Sequence, residues 1–238
     1  MRGPTLTRRQ AILAGGLAAL SLAGCAAPRE GTPHVVMLDS GVTLHPALDA
    51  FAITREGPAA STPHGTQVAS LILGATGVGR RLDAGRARLT SINIAEDGAP
   101  SIDALLRGLD RAATLKADLV NISSGVRHPV ETLEEAVDAA RARGVLVVAS
   151  AGNAPFLAPD FPARYESVLA VGSEAPGGAP PVGVDVTERG TDLPVLGLDG
   201  TVTNQSGASL ATALASNRIL GLLADGAIDS ALDYPVRR

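Results

Sequence analysis

Short runs built on Val, Leu and Ile recur along this chain, separated by segments whose apolar residues fall three and four positions apart. The runs are His34-Val35-Val36-Met37-Leu38, Leu89–Ile94, Leu119–Ser123, Val145–Ala149 and Val168–Val171. A run that does not alternate apolar with polar residues is one that is buried on both faces. Strands meet that condition in a parallel sheet whose crossover helices cover both sides. The intervening segments, near Thr66–Leu73, Ile102–Leu115, Glu131–Arg143 and Ser209–Leu223, have the length and spacing of such helices. The fold class read from this pattern is α/β, with a mostly parallel sheet.

Local signals agree. Ser101 can cap the amides that open a helix at Ile102, and Leu105, Leu106, Leu109 and Ala112 then form one stripe. Glu131, Glu134 and Glu135 begin the next helix while Arg141 and Arg143 end it, which complements the backbone dipole. The stretch from Glu174 to Asp199 is rich in Gly and Pro without a steady period, and is expected as surface loop with one or two short strands. At 238 residues the chain can bury one full core but not two large ones. Its net charge of -4 comes without a basic run carrying interleaved aromatics, which leaves a nucleic-acid partner without electrostatic support.

The N-terminus reads differently from this core. Arg2, Arg8 and Arg9 precede an apolar run from Ala11 to Ala23 that is short for a bilayer span, the pattern of a signal peptide. The run ends in Leu22-Ala23-Gly24-Cys25, which resembles the lipobox of bacterial lipoproteins, in which the Cys becomes the lipidated first residue. Thr7-Arg8-Arg9-Gln10-Ala11 also resembles the start of a twin-arginine signal, although Ala11 replaces a large apolar residue. Cys25 is the sole cysteine in the sequence, so no disulfide can form within it. The expected organisation is a signal peptide over 1–24, a lipidated Cys25 and tether over 25–33, and one catalytic or binding domain over 34–238. The expected location is the bacterial cell envelope, lipid-anchored to a membrane and facing the periplasm or exterior.

Three segments put reactive residue types at the ends of the predicted elements. Asp39 follows the first strand directly and precedes a turn containing Gly41; alone, it fits a cap or a metal ligand as well as catalysis. His64 stands at a helix start, where an imidazole with an ordinary pKa of about 6.5 is either a structural group or a general base. Ser209 follows the small residues Gly207 and Ala208, and alone reads as a helix cap. The order Asp, His, Ser, with each residue at the end of an αβ element, is one of the known orders of a catalytic triad. A serine hydroxyl needs that help: His takes its proton during attack, and Asp holds the imidazole in the required tautomer. Asn153, after Gly152, is either a turn residue or a side-chain donor to an oxyanion.

These segments resemble the subtilisin family of serine peptidases. Asp39-Ser40-Gly41 is similar to its Asp-Ser/Thr-Gly motif, and His64-Gly65-Thr66 to its His-Gly-Thr motif. Gly207-Ala208-Ser209-Leu210-Ala211 resembles its Gly-Thr-Ser-Met-Ala motif with Ala for Thr and Leu for Met. Asn121-Ile122-Ser123-Ser124-Gly125, Ala149-Ser150-Ala151-Gly152-Asn153 and Phe161–Gly172 resemble the cleft strand, the oxyanion segment and the loop and strand that follow it. The resemblance implies a three-layer αβα sandwich and a serine endopeptidase acting through an acyl-enzyme on a protein or peptide. It implies a triad of Asp39, His64 and Ser209, with Asn153 as oxyanion donor. Ser123, Ser124 and Gly125 would pair with substrate backbone, with Gly98-Ala99 opposite.

By the same resemblance, Ser150, Ala151 and Gly152 would floor the pocket for the residue before the cleaved bond, with Gly125 and Val126 as its wall. Those small walls lead to an expected preference for medium apolar residues over arginine or glutamate. No oxygen-rich loop with the spacing of a calcium site is evident, and no cofactor is expected. The family's long prosegment is not matched, so folding is expected either unaided or with a folding partner. The departures at Ala208 and Val126 keep open an inactive relative that binds extended peptides or scaffolds a partner. An α/β-hydrolase esterase fits poorly, because that class requires Gly-x-Ser-x-Gly and a triad that begins with Ser.

Overall fold

Strand β1 (His34–Asp39) runs through the middle of the molecule with every residue buried, as its unbroken apolar sequence requires. A computed structural model describes residues 31–60, 62–96, 99–154, 156–174 and 181–234. The expected signal peptide, Cys25 and Gly98 lie outside the described residues. After β1 come β2 (Ala52–Glu56), helix α1 (His64–Ile72), β3 (Arg88–Asn93), β4 (Ala95–Glu96), β5 (Ala99–Pro100), α2 (Ile102–Thr114) and β6 (Leu119–Ile122). Then follow α3 (Glu131–Ala142), β7 (Leu146–Ser150), β8 (Val168–Glu174), β9 (Val186–Arg189), β10 (Leu193–Leu196), β11 (Val202–Gln205) and α4 (Ala208–Ala224). The main sheet has seven strands in the order β2-β3-β1-β6-β7-β8-β9. Each of its pairings is parallel. The α/β reading therefore holds.

The two faces of the sheet sort the apolar residues by parity. Val35 and Met37 of β1, Leu119 of β6 and Val148 of β7 face a core formed with α1 and α4. Val36, Leu38, Val120 and Val147 face a second core formed with α2 and α3. That is the three-layer αβα sandwich. Each fully buried Val or Leu side chain contributes about 1.5–3 kcal/mol, so these two cores dominate stability. Ser101 caps α2 by accepting from the Ala104 amide at 3.3 Å. Arg143 at the end of α3 reaches Asp110 of α2 at 3.0 Å.

The region after Glu174 is more ordered than its composition suggests. β9 is the seventh strand of the main sheet, and β10 pairs with β11 in an antiparallel hairpin. Leu193, Val195 and Leu196 of β10 are buried against the α1–α4 layer. β2 also departs from the sequence reading: it is an edge strand with only partial burial, too polar to stand out as an apolar run. Because the sheet is parallel, the C-terminal ends of β1, β3, β6 and β7 share one rim. Chain order reverses at β1, between β3 and β6, and crevices at such reversals are where open sheets bind ligands.

Candidate active site

Asp39 ends β1 at that rim, 7% exposed, and its carboxylate is held from two sides. The Ser40 amide donates to Oδ1 at 2.7 Å. His64 Nδ1 lies 2.8 Å from Oδ1 and 3.1 Å from Oδ2. The contact depends on how α1 meets the turn after β1. A β-carbon at Gly65 would collide with the Gly41 carbonyl oxygen, so glycine is needed for the helix to start this close. Pro63, which precedes α1, supplies no side-chain cap. The Ser40 hydroxyl does so through space, accepting from Gly65 N–H at 3.1 Å and from the Thr62 hydroxyl at 2.8 Å.

The hydrogen bond to Asp39 raises the His64 pKa above its ordinary value, an effect that outweighs the opposing influence of burial. With Nδ1 engaged by the carboxylate, the neutral ring carries its proton there and leaves Nε2 as the basic nitrogen. His64 lines a cleft that also includes Asp39, Ile94, Pro100, Ser123 and Ser124.

Ser209 stands in the first turn of α4 and meets this cleft through Ser123, one of its lining residues. Its hydroxyl donates to the Ser123 carbonyl at 3.2 Å, which ties the end of β6 to the start of α4. The first-turn amides of a helix have no intrahelical acceptor, so the Ser209 N–H belongs to a group that can receive an anion. Asn153 approaches the same turn: its Oδ1 accepts from Ala208 N–H at 2.8 Å. That fixes the amide oxygen on the residue before Ser209 and leaves the NH₂ end as a donor. Behind Ser209, buried Asn121 donates to the Ser216 hydroxyl of α4 at 3.0 Å and accepts from the Ser123 hydroxyl at 3.2 Å. Among the described residues no group of three His, Cys, Asp or Glu side chains is placed to hold a metal ion.

Residues 32–230 match the sequence profile of the Subtilase family. The chain belongs to the subtilase family. This subtilase is 31% identical to Subtilisin BL of Lederbergia lenta over 75% of its own length and 71% of that relative. It is also 31% identical to the Alkaline protease of Alkalihalobacillus alcalophilus, of which it spans 50%. Among solved structures it resembles the prenylagaramide maturation protease PagA, with a TM-score of 0.69 and 27% identity over 80% of this chain and 74% of that one. The self-cleaved protease domain of PatA superposes with a TM-score of 0.70 and 28% identity, over 82% of this chain and 81% of that one. The subtilase described here is a serine endopeptidase.

Of the residues expected to contact substrate, Ser123, Ser124 and Gly125 follow β6, with Ser123 O accepting from Ser209; Ser150 ends β7, and Ala151 and Gly152 follow it. Val126 has no free backbone to offer a substrate, because its N–H and C=O both pair with Phe161 at 2.8 Å. The Ala151 amide is taken by Val171 O at 2.9 Å. Sequence reasoning missed Ser40 and Thr62, whose hydroxyls position α1, and Asp160 with its partner Arg127. Ser40 was within reach, since it sits inside the Asp39-Ser40-Gly41 motif. Asp160 was not, because its place between Gly125 and Gly152 arises only from the loop that returns it there.

Proposed function

We propose that this subtilase hydrolyses peptide bonds through a covalent acyl-enzyme on Ser209. His64 removes the serine proton through Nε2 as Oγ attacks the scissile carbonyl, and Asp39 holds the imidazole and stabilises its cationic form. The oxyanion is received by the Ser209 N–H and the Asn153 amide. His64 then gives the proton to the leaving amine, and water repeats the cycle to release the acid. No cofactor is required. The observation that carries this reading is the bond between His64 Nδ1 and Asp39 at 2.8 Å, in a cleft whose lining residue Ser123 accepts the Ser209 hydroxyl. In the substrate-free state the Ser209 hydroxyl bonds Ser123 O, and catalytic hydrogen bonds commonly form or tighten only with substrate bound. Peptide hydrolysis by the folded chain and by Ser209→Ala, together with fluorophosphonate labelling, tests the assignment. Loss of both activity and label in the variant supports it; equal rates in the two proteins overturn it, and an unlabelled, inactive wild type points to a peptide-binding relative.

We also propose that Cys25 is lipidated and anchors the domain outside the cytoplasm. Support comes from the arginines, the short apolar run and the Leu22-Ala23-Gly24-Cys25 ending. Stable anchoring takes more than one acyl chain, as a lipoprotein Cys supplies. Cys25→Ala is expected to release the protein from washed membranes. Intact mass spectrometry of membrane-extracted protein that begins at an unmodified Met1 would refute the anchor.

A further inference from the structure

Two segments flank the nucleophile and then diverge: Ser123–Val126 beyond β6 and Ser150–Asn153 beyond β7. Between them stands an acid. The β-carbon of Asp160 is 2.8 Å from the position a β-carbon would take at Gly125, and its Oδ2 is 3.0 Å from the same position at Gly152. Its backbone is fixed there as well, since Asp160 N–H donates to Ala151 O at 3.3 Å and the next residue, Phe161, pairs with Val126 at 2.8 Å. A substrate side chain that enters between these two segments therefore meets the Asp160 carboxylate. We propose that Asp160 makes this pocket acidic, so that the enzyme cleaves after arginine or lysine. The proposal rests on the assignment of Ser209 as nucleophile.

The carboxylate is partly occupied in a way that suits this role. Oδ1 accepts from Arg127 Nη1 at 2.9 Å, while among the described residues none donates to Oδ2, the oxygen that faces Gly152. The Arg127 side chain is 57% exposed and that of Asp160 25%. An ion pair with one such solvated partner contributes little in water, so Arg127 yields to, or shares the carboxylate with, a substrate cation that enters from the cleft. Glycine at 125 and 152 is what lets Asp160 stand this close, because a β-carbon at either position would press on its side chain. An apolar substrate side chain would desolvate the carboxylate without pairing it, and an acidic one would be repelled. This replaces the apolar preference expected from the small walls alone.

The test uses peptides that differ only at the residue before the scissile bond, carrying Arg, Lys, Leu or Glu, with kcat/KM measured for the full chain. Arg and Lys should exceed Leu by roughly tenfold or more, the size expected of a hydrogen-bonded charge, with Glu slowest. In Asp160→Asn the Arg-to-Leu ratio should collapse by roughly tenfold to a hundredfold. Arg127→Gln should keep or raise the Arg preference. A wild type that prefers Leu, or an Asp160→Asn variant with an unchanged ratio, overturns the proposal. Binding of the Arg and Leu peptides to Ser209→Ala, read by fluorescence anisotropy with and without Asp160→Asn, decides the matter independently of turnover. Tighter binding of the Arg peptide that depends on Asp160, alongside a wild type that neither hydrolyses nor takes the fluorophosphonate label, would retain the role of Asp160 and reject the nucleophile assignment.

Discussion

At the scale of residues, the site depends on a few contacts that fix protons and orientation. Asp39 contributes both. It sets the tautomer of His64, and by hydrogen bonding it raises the His64 pKa above its ordinary value of about 6.5. A base works only when neutral, so kcat/KM should rise with pH through a midpoint above about 6.5. In Asp39→Asn the cation loses its partner while burial still opposes charge, so the midpoint should move acid and turnover should fall by roughly 10⁴-fold. A pH profile of both proteins from about pH 5 to 9 checks this. An acid limb that did not move in the variant would show that another group controls it. The motif residues were legible in sequence because each is adjacent to the small residue its position needs, as His64 is to Gly65. Asp160 was not legible, because it is an ordinary loop acid until Gly125 and Gly152 are brought around it.

At the scale of elements, α4 organises the molecule. It carries Ser209 at one end, and further along it Asn217 clamps the loop that follows α1. Asn217 Oδ1 accepts from Arg80 N–H at 2.7 Å, and Nδ2 donates to Arg80 O at 2.7 Å and Ile72 O at 2.9 Å. Gly79 passes so near that its β-carbon would lie 2.6 Å from the Asn217 carbonyl oxygen, and its φ of +73° also favours glycine. Asn217→Ala leaves these buried groups without partners and should cost about 1–3 kcal/mol. Urea unfolding of the variant measures the loss. A change below about 0.5 kcal/mol would mean that water replaces the amide. The helices were readable from apolar spacing and charge at their ends. β2 and β11 were not: β2 is half-buried at an edge, and β11 is exposed throughout, so neither carries the apolar run that marks a central strand.

At the scale of the whole molecule, the rim with the proposed catalytic groups is separated from a second histidine at the opposite end of β1. His34 is 1% exposed, its Nε2 lies 2.9 Å from the Thr90 hydroxyl, and its Nδ1 has no well-formed hydrogen bond among the described residues. Burial, reinforced by the Arg88 cation, pushes its pKa down to about 4. The folded state thus favours the neutral ring. Its stabilising contribution is complete above the unfolded value of about 6.5 and declines as pH falls toward about 4, amounting to about 3 kcal/mol. Thermal or urea unfolding between pH 7 and about pH 4 should show this loss, and His34→Gln should flatten the curve in that window. Equal slopes for the two proteins would assign the acid sensitivity to other groups.

The sequence alone determined the layered α/β class, because runs buried on both faces admit few other arrangements. It also determined the identities of Asp39, His64, Asn153 and Ser209 as candidates, since each is recognisable from its immediate neighbours. Tertiary structure decided what those neighbours cannot encode: the order of strands, the through-space cap from Ser40 to α1, the edge position of β2, and the placement of the Asp160 carboxylate between Gly125 and Gly152. The physical reason is range. Periodicity and motifs report what a residue needs within a few positions, whereas the gap between Gly125 and Gly152 acquires its carboxylate only when the loop before β8 folds back and hydrogen-bonds across it.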